Sequence, residues 1–282
     1  MRKAFSARIV RKSIGFALAF LLCVAWLVPV LFLFNLSSKP PLDYSTSAYW
    51  ALPKRFALVE NVRYVFERTQ FLNPYLNSIA YAIVGSAIAI FISSLAAFAI
   101  TKLRITGGFA IFLLLWAGMI FPIQIYLIPL YKAYLTVRLY NTRFGLLLIY
   151  IAICTPFCVF VFRNFFLSLS DDYHEAARIE GCTSFQIYSR IFLPNSLGPI
   201  AVLFLFQGSF IWNDLILGMV LTGSQKVRPV MNALSMLNSI YSGTNVPAVM
   251  AGNLMACLPV IVLYLVLQKY FIQGLTIQAA GE

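Results

Sequence analysis

Long apolar runs, separated by shorter polar segments, dominate this chain. A membrane-spanning helix needs about 20 consecutive apolar residues. Helices are favoured in lipid because they satisfy their own backbone hydrogen bonds. The pattern therefore predicts an all-α integral membrane protein with six transmembrane helices, at residues 13–35, 77–101, 109–131, 144–166, 197–222 and 248–272.

The polar segments between these runs predict the topology. Residues 1–12 form a basic tail, 36–76 a loop long enough for a small helical cap, 168–196 a second loop, and 273–282 a C-terminal tail. With the N-terminus inside, the inner segments carry eleven Lys and Arg residues and the outer segments ten. These totals hardly distinguish the two possible orientations in the membrane. The tail alone holds five of these cations, and the first helix usually dominates orientation. We therefore predict cytoplasmic tails and a cytoplasmic 168–196 loop.

Composition agrees with a bilayer as the solvent. The chain is 61% hydrophobic and 11% charged, whereas soluble domains carry about 25% charged residues. Its net charge of +12 lies in the segments between apolar runs, with no basic face interleaved with aromatic residues. Nucleic-acid binding is therefore not expected, and the charge is that of a membrane protein.

Candidate chemistry is sparse. Four of the five cysteines lie inside apolar runs, and the single histidine, His174, has no ligand partners in sequence. Metal sites need three or four convergent ligands, so no metal site is predicted. The chain has no phosphate-binding loop of the Gly-x4-Gly-Lys-Ser/Thr type and no catalytic set of residues. We predict that it is not an enzyme.

The 168–196 loop has an internal pattern of caps and breaks. Asp172 with Glu175, and Thr183 with Gln186, have capping-box spacing, and each pair predicts the start of a short helix. Gly181 is placed to end the first helix, because glycine accepts the left-handed conformation found after helix C-termini. The loop is therefore predicted to be helix, glycine turn and helix, lying at the membrane surface.

This loop resembles the EAA loop of binding-protein-dependent ABC importer permeases. That pattern is Glu-Ala-Ala, three residues, Gly, nine residues, and Ile-x-Leu-Pro, and the spacing agrees at every position. The resemblance implies that a set of seven residues couples this chain to an ATPase: Glu175, Ala176, Ala177, Gly181, Ile191, Leu193 and Pro194.

The resemblance extends over nearly the whole chain and is closest to the maltose-type carbohydrate permeases. Lys102-Leu103, Asn141-Thr142, Arg163-Asn164-Phe165-Phe166 and Trp212-Asn213-Asp214 are similar to patterns of that family. Ser170 stands where the family usually has Pro, and the C-terminal tail lacks its usual Lys-Gly ending. No role at the ATPase is therefore assigned to the tail.

The resemblance also implies partners. These are a second permease subunit, two copies of an ABC ATPase that bind ATP and Mg²⁺, an extracytoplasmic solute-binding protein, and a sugar or oligosaccharide as cargo. It implies a multi-pass protein of a prokaryotic cell membrane, with no cofactor in this chain. Glycerol phosphate or a polyol is the alternative cargo. An ion-coupled transporter is the alternative of another class, but it predicts intramembrane relays and repeated halves that the sequence lacks.

Polar residues inside the predicted spans are candidates for the translocation path. Asp214 is the one acid well within a span, and intramembrane carboxylates are costly and often functional. Four further side chains are candidates for hydrogen bonds either to sugar hydroxyls or between helices: Gln124, Gln207, Asn213 and Asn253.

Overall fold

The computed structural model describes the backbone of residues 2–237 and 245–279 and the side chains of 13–237 and 245–270. The side chains of the basic N-terminal tail and the last residues of the predicted C-terminal tail, 280–282, lie outside these ranges. Within the described residues the chain is helical and has no strand. The α-helices are α1 (Arg2–Ser37), α2 (Pro41–Thr46), α3 (Leu58–Thr69), α4 (Leu72–Thr101), α5 (Gly108–Ala117), α6 (Ile123–Thr136), α7 (Arg143–Ser168), α8 (Asp172–Ile179), α9 (Ser184–Ile187), α10 (Leu193–Asn195), α11 (Leu197–Trp212), α12 (Ile216–Leu221), α13 (Val230–Leu237) and α14 (Val246–Ala279).

The contacts divide the chain into two compact units. One consists of Met1–Thr69 with Met236–Met255, and the other of Gln70–Ser235 with Ala256–Glu282. In the first unit, the predicted 36–76 loop contains α2 and α3. Two buried polar side chains hold it together: the Lys39 ammonium donates to the carbonyl of Ala48 at 2.9 Å, and the Asn61 amide donates to the carbonyl of Ser37 at 2.8 Å.

Small residues on α4 allow close helix packing in the second unit. Ala89, Ser93 and Ala97 are completely buried, and the Ser93 hydroxyl donates to the Thr155 carbonyl of α7 at 3.1 Å. A Cβ added at Gly85 would lie 2.9 Å from Ile211 of α11. Small side chains let helix backbones approach closely in membranes, so the helices α4, α7 and α11 form the centre of this unit.

Two of the six predicted spans are not single straight helices. The 109–131 prediction falls on α5 and α6. The segment Gly108–Ile120, which is α5 followed by a 3₁₀ turn at Gly118–Ile120, is bent by 99° from α6 at Phe121 and Pro122. Pro122 stands before α6 and cannot donate a helical hydrogen bond. A second bent pair is Ser184–Asn195 with Leu197–Trp212, at 72°. The described chain thus has four continuous helices long and apolar enough to span a membrane, or up to six if each bent pair counts as one span.

The predicted 197–222 span is also interrupted. The helix α11 ends at Trp212, and α12 begins only at Ile216. The apolar run continues through this break, so hydropathy alone gave no sign of it. The residues between the two helices include Asp214, whose hydrogen bonds explain the second start.

Candidate functional site

The first short helix of the 168–196 loop, α8, begins differently from the prediction. The helix starts at Asp172, and its N-cap is Asp171, whose carbonyl accepts from the amides of His174 and Glu175. The amide of Asp172 donates to the Ser170 hydroxyl at 3.2 Å. The predicted Asp172–Glu175 capping box is therefore wrong, because Asp172 already belongs to the helix.

The end of α8 and the start of α9 are confirmed. Gly181 adopts a left-handed φ of 79°, and none of the described residues beyond its chain neighbours lies within 4 Å of a Cβ built there. The Thr183 hydroxyl accepts from the Gln186 amide at 3.3 Å, and the Gln186 side chain accepts from the Thr183 amide at 2.8 Å. This reciprocal capping box starts the second helix immediately after the glycine turn.

An ion pair that the sequence analysis missed ties α8 to the end of α4. The Lys102 ammonium donates to the Asp171 carboxylate at 2.6 Å and to the Leu169 carbonyl at 2.9 Å. Arg104 donates to the other carboxylate oxygen of Asp171 at 2.8 Å. The Lys102 side chain is 3% exposed and that of Asp171 47%, so the lysine is the buried partner of this pair.

The charges around Asp171 change its acidity. The hydrogen bond from Lys102 is the main cause that lowers the pKa of the Asp171 carboxyl, and the charges of Lys102 and Arg104 lower that pKa further. A carboxyl whose pKa falls on folding contributes stability above its unfolded pKa, and loses it as the pH falls through the folded pKa. The ion pair is therefore complete at neutral pH.

One face of α8 packs against the core of the second unit. His174 and Ala177 are buried, and the His174 ring lies 6.1 Å from that of Phe98 and 6.5 Å from that of Phe192. Burial is the main cause that lowers the pKa of His174, with the charges of Arg178 and Lys102 next. Its neutral form contributes stability above the unfolded pKa of about 6.5, and this is lost as the pH falls through the folded pKa.

The opposite face of α8 exposes apolar side chains. Tyr173 and Ile179 are 61% and 88% exposed, and Ala176 between them is exposed as well. Residues three apart lie on one helix face, so these side chains form a stripe, and Phe185 of α9 is a further exposed apolar residue. We call Tyr173, Ala176, Ile179 and Phe185 the exposed loop face.

This placement corrects the expected contact surface. Both alanines of the motif were expected to face a partner, but Ala177 is 5% exposed and lies in the core cluster with Phe98, Phe162 and Phe192. Among the other motif residues, Glu175, Gly181 and Pro194 are exposed, whereas Ile191 and Leu193 are half-buried.

A π-helical turn at Tyr188–Phe192 follows α9 and anchors the second half of the loop. Tyr188 and Phe192 are almost completely buried, and the Tyr188 hydroxyl hydrogen-bonds with that of Ser94 on α4 at 2.6 Å. Both halves of the loop are therefore fixed to α4, one by an ion pair and one by buried rings.

The Asp214 carboxylate forms hydrogen bonds at the start of α12. Its carboxylate accepts from the amides of Leu217 at 3.2 Å and Gly218 at 2.9 Å, which begins α12. It also accepts from the Tyr150 hydroxyl at 2.8 Å. These bonds satisfy an acid inside an apolar segment, and a role of Asp214 in the translocation path stays a prediction.

The other polar candidates differ in their exposure and their partners. Asn213 is exposed and donates to the Ser209 carbonyl one turn earlier. Gln207 is buried and interacts with the thiol of Cys158, while Gln124 is exposed on α6. Asn253 is half-buried on the part of α14 that belongs to the first unit.

A cavity of about 270 Å³ lies between α4, α11 and α14 in the second unit. Its walls include Ile83, Phe204, Trp212 and Leu263, and Ser209 carries the one hydroxyl among the described residues that line it. Sugar hydroxyls need several polar partners, because an unpaired buried polar group is costly. This cavity therefore does not suit a sugar.

We expect replacement of Asp214 by Ala to destabilise the protein by about 1–3 kcal/mol, because two amides and a hydroxyl lose their acceptor. Tyr150→Phe removes one of these bonds and should cost about 1 kcal/mol. Asp214→Asn keeps an acceptor oxygen and should cost less than Ala. Thermal unfolding of the detergent-solubilised proteins ranks the stability losses of these three variants. Equal melting temperatures for wild type and Asp214→Ala would contradict the role of Asp214 at the start of α12.

Comparison with known proteins shows the family of this chain. Residues 83–277 match the family described as "Binding-protein-dependent transport system inner membrane component". The fold is similar to that of a chain in the crystal structure of a bacterial ABC transporter that imports the acidic polysaccharide alginate. The TM-score is 0.79 at 24% identity, covering 93% of this chain and 96% of that one.

Several relatives are similar over nearly their full length. The arabinooligosaccharides transport system permease protein AraQ of Halalkalibacterium halodurans is 30% identical, covering 94% of each chain. The melibiose/raffinose/stachyose import permease protein MelC of Bacillus subtilis is 31% identical, covering 92% of this chain and 93% of that one. A putative ABC transporter permease of Caldicellulosiruptor is 30% identical, covering 88% and 89%. This protein belongs to the inner membrane components of binding-protein-dependent transport systems.

Proposed function

We propose that this chain is the membrane-spanning subunit of an ABC importer for sugars, with oligosaccharides as the favoured cargo. Relatives named for arabinooligosaccharides and for melibiose, raffinose and stachyose support this cargo class. The single observation that carries the importer assignment is the 168–196 loop. It combines the Glu-Ala-Ala pattern with an exposed apolar face and a buried attachment to α4.

Energy must come from outside this chain, since its sequence contains no phosphate-binding loop. We propose that a dimer of ABC ATPase subunits binds ATP and Mg²⁺ and docks on the exposed loop face. A second permease subunit completes the transmembrane pathway, and an extracytoplasmic solute-binding protein delivers the sugar. In this topology both tails and the 168–196 loop are cytoplasmic, in the cell membrane of a prokaryote.

The mechanism follows from the attachment of the loop. Closure of the ATPase dimer on ATP moves the docked α8. Lys102 and Asp171 join α8 to α4, and the Tyr188 and Phe192 side chains pack in one core with residues of α4 and α7. The membrane helices therefore move with α8. The pathway then changes from inward-facing to outward-facing. Sugar enters from the binding protein, and hydrolysis of ATP resets the cycle.

Uptake by proteoliposomes that contain the complete complex tests this proposal. We expect uptake of radiolabelled raffinose or arabinooligosaccharide that requires ATP and the binding protein, and that a protonophore does not inhibit. Excess glycerol phosphate or polyol should not compete. Uptake that continues without ATP and collapses with the protonophore would instead support an ion-coupled transporter.

A further inference from the structure

The proposed transport mechanism does not use the cavity between α4, α11 and α14. Its volume is about 270 Å³, and the part of α14 that lines it belongs to the second unit. None of the described residues that line the cavity carries a charge or a side-chain amide. An apolar cavity of about 150 Å³ stays dry and binds apolar molecules. This larger cavity therefore suits an apolar ligand and not water.

Buried groups form the floor of the cavity. Trp212 is 3% exposed, and Gly208 is buried as well. The Trp212 indole N–H donates to the Ala256 carbonyl at 3.0 Å, and the ring packs edge-on against that of Tyr75, with the centroids 5.3 Å apart. Because this N–H is the one polar group of an indole, the Trp212 side chain offers only apolar surface to a ligand.

The mouth of the cavity faces the bilayer. The exposed residues of its lining are Ile83 of α4 and Val262 and Val266 of α14, which are 51%, 57% and 61% exposed. All three lie inside helices that are long and apolar enough to span a membrane. The medium outside the mouth is therefore the hydrocarbon of the bilayer, and its acyl chains are the apolar molecules in contact with it.

We propose that this cavity binds one acyl chain of a membrane phospholipid. An empty cavity deprives its lining atoms of dispersion contacts, and a flexible chain restores them while its headgroup stays at the membrane surface. The inference goes beyond sugar transport, since it concerns a lipid site on the permease. α4 lines the site and also holds the 168–196 loop through Lys102, so the bound chain lies between helices that the proposed mechanism moves.

Fluorescence of Trp212 tests the proposal, because bulk lipid does not reach a side chain that is 3% exposed. The complete importer is placed in nanodiscs of phosphatidylcholine with dibrominated or with ordinary acyl chains, since bromine quenches indole fluorescence on contact. The other tryptophans of this chain, Trp26, Trp50 and Trp116, are replaced by Phe. The same complex with Trp212→Phe gives the signal of the other subunits, which is subtracted. We expect the brominated chains to quench Trp212.

Two variants block the site in different ways, and both should lose most of this quenching. Gly208→Leu fills the cavity, because a Cβ at Gly208 meets Leu263 at an ordinary 3.5 Å and leaves the rest of the side chain to occupy the space. Val262→Phe covers the mouth from an exposed position, so it tests the site even if Gly208→Leu fails to assemble. The matched control is Gly198→Leu on the same helix. A Cβ there meets no described residue within 4 Å beyond its own stretch of helix, and quenching should persist.

Two results would overturn the proposal. Trp212 could stay unquenched in the complex while a variant that retains only Trp26, which is 78% exposed, is quenched. Quenching of Trp212 in the isolated chain alone would then identify a helix of the partner permease as the occupant in the complex. The other result is equal quenching in Gly208→Leu, Val262→Phe and Gly198→Leu, which would place the acyl chain outside the cavity.

Discussion

Replacement of Gly181 by Asp is expected to abolish uptake and co-purification of the ATPase, while the protein still inserts in the membrane. The φ of 79° costs an L-residue about 1 kcal/mol, which is small beside typical stabilities. Among the residues that the structure describes, only the chain neighbours of Gly181 lie within 4 Å of a Cβ at this position. The new side chain and its charge therefore point into the space that the ATPase is proposed to fill.

Gly107 offers a matched control within the same chain. Its φ is 78°, and a Cβ there also meets no described residue beyond its chain neighbours within 4 Å. It lies at the start of α5, on the same proposed side of the membrane. Gly107→Asp adds the same backbone strain and the same charge outside the 168–196 loop, and should keep near-normal uptake. Normal uptake and ATPase binding in Gly181→Asp would contradict the docking role of the loop.

Removal of Asp171 is expected to impair transport more than removal of Lys102. Asp171→Ala leaves the buried Lys102 ammonium with the Leu169 carbonyl and the Phe192 ring but no carboxylate, and a buried charge without a counter-ion is strongly unfavourable. Lys102→Met removes that charge, and the half-exposed Asp171 retains Arg104 as its partner. Because the pair joins α8 to α4, its loss should separate ATP hydrolysis from sugar movement.

The ratio of sugar transported to ATP hydrolysed measures this effect in proteoliposomes. We expect at least a tenfold lower ratio for Asp171→Ala, a smaller loss for Lys102→Met, and little change for Arg104→Ala, whose side chain is exposed. Asp171→Glu should restore part of the ratio, since it keeps the charge. If Asp171→Ala and Arg104→Ala gave equal ratios, the Lys102–Asp171 pair would have no part in coupling.

Local sequence rules predicted those parts of the loop that depend on neighbouring residues alone. The Thr183–Gln186 capping box and the turn at Gly181 need no other element, and both were confirmed. The Asp172–Glu175 box failed because Asp171, one residue earlier, became the N-cap. The carboxylate of Asp171 is held by Lys102 and Arg104, 69 and 67 residues away in sequence.

Tertiary packing determines two features that the hydrophobic pattern of the sequence does not specify. Ala176 and Ala177 are equivalent in the motif, but α8 has one face against Phe98 and Phe192, and only Ala177 lies on it. Likewise, the hydropathy of 197–222 is continuous, whereas the Asp214 carboxylate begins a new helix at Ile216. A sequence signal existed here, since Asp is favoured at helix starts, but the position of Asp214 inside an apolar run obscured it.

The most direct test of the central claim is cross-linking between α8 and the ATPase in a cysteine-free background. Ile179, 88% exposed, and Ala177, 5% exposed, lie two residues apart on opposite faces of one helix turn. With a short bifunctional maleimide, Ile179→Cys in the assembled complex should cross-link to the ATPase, and Ala177→Cys should not. Absence of a cross-link from Ile179→Cys, together with its modification by a membrane-impermeant maleimide from outside intact cells, would contradict both the docking face and the topology.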